Sequence, residues 1–186
     1  LGACVTSPGM RPHPALMLLL CVCPGRMSPA YVSVLGPDMV VYVCPDSPVS
    51  EADVYRAVTL WDYPTPIGVK AGSAERCSAA PGLSETHVRL IKEGDREVGD
   101  PEIAYALTLC TYEDLRRGVM LFTSCTVMLP HWVDPWTVVH EVGHVTGRDH
   151  TDDPHNVMYP KVTQVPKHVE PWTQAEYDLI WVRATQ

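Results

Sequence analysis

Basic residues are scarce in this chain: 14 lysines and arginines stand against 22 aspartates and glutamates, a formal charge of −8 over 186 residues. Nucleic-acid binding calls for clustered cations against phosphate, so the balance argues against that class of partner. No apolar run reaches the roughly 18 residues that span a bilayer. Internal repeats are absent. Charged residues make up 19% and hydrophobic ones 46%, which excludes a disordered chain and a long coiled coil. What is abundant is proline, 18 residues spread along the chain, as expected of a fold with many turns. The length suits one domain with a core of its own.

The first thirty residues read as a leader. Arg11 follows Met10, nine apolar residues run from Ala15 to Cys23, and a small-x-small ending closes at Ser28-Pro29-Ala30. These are the three parts of a secretory signal peptide, with cleavage expected after Ala30 and residues 31–186 forming a single domain. Cysteine usage agrees with export. Seven cysteines reduce to four beyond Ala30, namely Cys44, Cys77, Cys110 and Cys125, enough for two disulfides in any of three connectivities. An oxidising compartment would let such bonds persist.

Residues 39–44 are β-branched and aromatic and end at a Pro-Asp-Ser-Pro turn, the pattern of a strand. Ser50 and Asp53 form a capping box, with Val49 and Val54 as a hydrophobic staple, and a helix is expected to about Asp62. Short strands are expected at 67–70, 87–91, 103–110 and 119–123. Asp134 can cap a second helix, with Pro135 at its first position and Gly147 as its left-handed stop. Thr173 and Glu176 announce a third. The expectation is an α+β domain with about five strands in a twisted mixed sheet and three helices.

The chemistry lies between residues 140 and 160. His140, Glu141 and His144 make an H-E-x-x-H pattern on the second helix. Residues four apart share a helix face, so both imidazoles can bind one metal ion while Glu141, displaced around the helix, reaches a water instead. Gly147 turns the chain, and His150 arrives three residues later as a third ligand. Three neutral histidines would leave Zn²⁺ an open position for water, with Glu141 as general base and then general acid. No residue pattern indicates Ca²⁺. His13, His87, His131 and His168 read as surface or satisfied core histidines, His155 as a loop residue near the site, and Trp132 and Trp136 as packing residues. Asp149 and Asp152 are placed as groups that orient the ligands.

From His140 to His150 the chain matches in full the H-E-x-x-H-x-x-G-x-x-H signature of the metzincin zinc endopeptidases, which it therefore resembles. Asn156 to Pro160 (Asn-Val-Met-Tyr-Pro) is similar to the methionine turn that lies beneath the metal in that family. Met158, Tyr159 and Pro160 with this short spacing are most similar to the matrixin branch, as are the segments 57–67 and 172–180. The resemblance implies a zincin-like catalytic domain over roughly 38–186, one catalytic zinc, and a protein or peptide substrate bound extended along the strand at 103–110. It also implies that residues 159–168 wall the specificity pocket. The chain departs from the branch in lacking a Pro-Arg-Cys-Gly switch, so Cys44 is read as half of a disulfide. It also lacks the loop holding a second zinc, and Pro160 stands where astacin-like relatives place a ligating tyrosine. The expected protein is a secreted, monomeric zinc endopeptidase. The alternatives are a zinc-containing module that binds a peptide or wall component with little turnover, and a structural domain of a larger particle.

Overall fold

The computed structural model describes residues 32–35, 38–92, 106–114, 119–161 and 167–173. The leader expected at 1–30, the strand start at 103–105 and the helix expected beyond its cap Thr173 lie outside them, as do residues 162–166 of the expected pocket wall. The elements are β1 (Val32–Leu35), β2 (Val40–Val43), α1 (Glu51–Trp61), β3 (Gly68–Ala71), α2 (Ala74–Ser78), β4 (Glu85–Leu90), β5 (Leu107–Asp114), β6 (Val119–Leu129) and α3 (Pro135–Val145). The fold is α+β with a mixed sheet, as expected. β4, β2 and β3 follow β6 in parallel, and β5 pairs β6 antiparallel. β1 pairs β6 through Val119–Phe122 and β4 pairs it through Ser124–Leu129, so these two strands lie end to end along one edge while β5 takes the other.

Three features depart from the expectation. β6 runs to Leu129 rather than Thr123, because its polar centre is satisfied by neighbours: Thr111 Oγ1 sits 2.9 Å from Thr123 Oγ1 and 2.7 Å from Ser124 Oγ. β1 was not foreseen; its four residues pair in parallel with Val119–Phe122 of β6. α2 has five residues, too few to show a helical period, and is started by the Ser73 hydroxyl accepting the Arg76 N–H at 3.1 Å. Among the described residues, no helix is long and apolar enough to cross a membrane.

Side-chain alternation gives the sheet two different faces. Val41, Val43, Val88, Val127 and Leu129 point to one face and meet Val54, Ala57, Val58 and Trp61 of α1 and Val138, Val139, Val142 and Val145 of α3 in the core. α1 begins as expected, with Ser50 and Asp53 in a reciprocal capping box. The opposite face carries Tyr42 and His87, aligned on β2 and β4, with the Arg76 guanidinium of α2 lying 4.4 Å from the centre of the Tyr42 ring. Two disulfides cross-link the fold. Cys44–Cys77 ties α2 to the sheet, and Cys110–Cys125 joins directly paired positions of β5 and β6. Four cysteines thus adopt one of the three connectivities.

Candidate metal centre

α3 starts where its sequence dictates. The Asp134 carboxylate accepts the Trp136 and Thr137 N–H groups at 2.9 and 3.2 Å, and Pro135 costs no hydrogen bond in the first turn. Its other end is a Schellman turn. Gly147 has φ 93° and donates to His144 O at 3.0 Å, and Arg148 donates to Gly143 O at 2.9 Å. That reversal brings His150 back over the helix face bearing His140 and His144.

The three Nε2 atoms form a near-equilateral triangle: 3.1 Å between His140 and His144, 3.2 Å from each of these to His150. Two rings are locked from behind. His140 Nδ1 donates to Val157 O at 2.7 Å, and His144 Nδ1 donates to Arg148 O at 2.8 Å. A carbonyl can only accept, so the proton sits on Nδ1 and each Nε2 turns a lone pair inward. Backbone carbonyls therefore orient these two ligands, while Asp149 acts on His150 through its charge. Burial holds both imidazoles neutral, pushing His140 down to about 4 and His144 down to about 3, and it lowers His150 as well.

Converging lone pairs repel unless a cation sits among them. A tetrahedral ion with Zn–N bonds of about 2.0–2.1 Å would set its nitrogens about 3.3 Å apart, close to the triangle observed. The donor set thus fits a metal ion, and the geometry agrees with three-histidine ligation.

Glu141 lies on the neighbouring flank of α3, 5% exposed. Its Oε2 accepts a 2.5 Å hydrogen bond from Thr108 Oγ1 on β5, and the same hydroxyl lies 3.3 Å from Glu141 O. Burial raises the carboxyl to about 7, with the Thr108 bond pulling the other way. Thr108 was not singled out from sequence. Nothing local marks it; only the placement of β5 beside α3 brings it to the glutamate.

Asn156 to Tyr159 form a tight turn under the helix. Asn156 O accepts the Tyr159 N–H at 3.1 Å, and its side-chain oxygen accepts the Met158 N–H at 2.9 Å. Met158 is buried against Gly143: a Cβ on that glycine would stand 2.4 Å from Met158 Sδ and 2.5 Å from Trp61 Cζ2. The Trp61 indole N–H, in turn, donates to Val139 O at 2.7 Å. A glycine inside the motif therefore allows α3 to sit directly on the methionine and the tryptophan. Tyr159 is half-buried and Pro160 exposed.

Other residues depart from expectation. Trp132 and Trp136 are exposed, at 86% and 41%, so they are not core packing. They belong to the loop and first turn of α3, whose apolar face is filled by valines instead. His87 is buried; its Nε2 makes no hydrogen bond, and the Glu85 carboxylate lies 3.6 Å from it. No family model matches the chain, and no curated protein matches it.

Proposed function

We propose that the chain is a secreted zinc-dependent endopeptidase of the metzincin kind, nearest the matrixin branch. The observation that carries this reading is the triangle of inward-facing Nε2 atoms with a buried carboxyl beside it, on a helix that ends in a Schellman glycine. His140, His144 and His150 would hold the zinc, which when bound supplies a Lewis acid to polarise a peptide carbonyl and to acidify a water.

The protein's own groups do the rest. Glu141 takes the proton of the attacking water and returns it to the leaving amine. Burial raises its carboxyl in the metal-free protein, which favours its taking up a proton. Thr108 holds Oε2, which leaves the second carboxylate oxygen for that transfer. Gly143 and Met158 keep α3 seated so that the ligands stay aligned. Among the described strands β5 pairs only with β6, and an extended peptide would lie along its other edge. The two disulfides accord with an oxidising surrounding.

The test uses the zinc-loaded chain and its Glu141→Ala variant, each incubated with a mixed peptide library, with cleavage sites read by mass spectrometry. Cuts made by the first should fall by about 10²–10⁴-fold in rate in the second while zinc content stays constant. Equal cutting by both, or none from a folded, zinc-bound sample, overturns the reading.

A further inference from the structure

We propose that Cys44, Cys77 and His87 form a second metal site, opened by reduction of the disulfide and selective for a zinc-like cation. The inference is independent of the peptidase reading and concerns the opposite face of the sheet. The two Sγ atoms and a ring nitrogen of His87 lie within 4.8 Å of one another. They come from three separate segments: the end of β2, the short helix α2 and the middle of β4. Cys44 and His87 are buried, at 3% and 2% exposed.

The second observation is the state of that imidazole. In the disulfide form its Nε2 makes no hydrogen bond, and Glu85 Oε2 lies beside it at 3.6 Å. A buried polar atom left unsatisfied is costly. Ligation through that nitrogen would satisfy it. The charges also balance, since two thiolates neutralise a divalent cation, so the loaded site carries no net charge into the interior. Thiolate and imidazole together are a donor set that suits zinc, with a fourth position left for water. Space for the sulfur comes from Gly72, where a Cβ would lie 2.7 Å from Cys77 Sγ.

The chemistry closes as follows. A dithiol exchanges with the Cys44–Cys77 bond and leaves as its own disulfide. Its two electrons and two protons pass to the protein, whose sulfurs become thiols. When the cation binds, both protons go to solvent and both thiolates become ligands. The same side chains would then cross-link α2 to the sheet in either redox state, covalently when oxidised and through the ion when reduced.

The full chain, oxidised or treated with a phosphine reductant, is titrated with Co²⁺ as a spectroscopic stand-in for zinc. The oxidised sample should take up one equivalent without a sulfur-to-cobalt charge-transfer band, and reduction should add a second equivalent with that band. His87→Gln can fold with its disulfide intact before reduction, and it should weaken the second equivalent by at least about tenfold. Cys77→Ser should abolish it, and Cys110→Ser should leave it unchanged. Absence of a second equivalent on reduction, or one undiminished in both His87→Gln and Cys77→Ser, overturns the proposal. Failure of the histidine site would show separately, as an oxidised sample that binds no cobalt while the reduced one still gains its equivalent.

Discussion

The sheet carries a three-donor group on each face, and the two are built in opposite ways. On the α3 side, His140, His144 and His150 fall within eleven consecutive residues, and backbone carbonyls hold two of the rings from behind. On the α2 side, Cys44, Cys77 and His87 come from three elements and are held by a covalent bond, with one imidazole nitrogen unsatisfied. The first group is preorganised by local backbone geometry. The second is assembled by strand register and a cross-link, so it should respond to perturbations that leave the first untouched.

Cutting the cross-link is the largest such perturbation. Cys77→Ser releases a loop spanning 33 residues and should cost about 3–4 kcal/mol in stability. Urea unfolding measures that loss. Zinc analysis of the folded variant should still find the histidine-bound ion, and loss of that ion would show the two faces to be coupled.

Gly143→Ala tests the reverse. A methyl group forced against Met158 Sδ and the Trp61 ring should cost about 1–3 kcal/mol and loosen the seat of α3. Zinc affinity should fall with stability, while thiol titration should find Cys44–Cys77 still closed. Unchanged affinity would mean that the ligands do not depend on how α3 is seated.

The smallest effect is a pH slope. Burial depresses the His87 pKa in the fold, although the Glu85 carboxylate raises it in part; Arg76 and Arg89 add to the depression. The unfolded chain, with its imidazole near about 6.5, binds the extra proton first. This contribution to stability is therefore present above about pH 6.5 and lost as pH falls below it. In the oxidised, metal-free protein His140 and His144 act with the same sign, so the comparison is between parent and variant. His87→Gln should flatten the dependence of the urea midpoint between pH 7 and pH 5. An identical slope in both would remove His87 from the account.

The legible parts of the chain are those where a few neighbouring residues decide the backbone. Ser50 with Asp53, and Asp134 with Pro135, start their helices because the partners of the cap lie within three residues. Gly147 ends α3 for the same reason. β6 was read too short because its central Thr and Ser look like an ending until Thr111 from the adjacent strand bonds to them. Trp132 was misread in the other direction: aromatic character suggested burial, yet its side chain is exposed while the neighbouring Val133 packs on the core.

By itself the sequence determined the donor set at 140–150, because a helix turn and a glycine reversal are local events that fix the spacing of three imidazoles. It also determined the caps and the approximate places of most strands. The tertiary structure alone decided that Thr108 holds Glu141, that Gly143 makes room for Met158 and Trp61, which cysteines pair, and that His87 stands beside two sulfurs. Those contacts join residues far apart in the chain. They depend on which strands lie side by side and on which way each side chain alternates, and no local pattern encodes either.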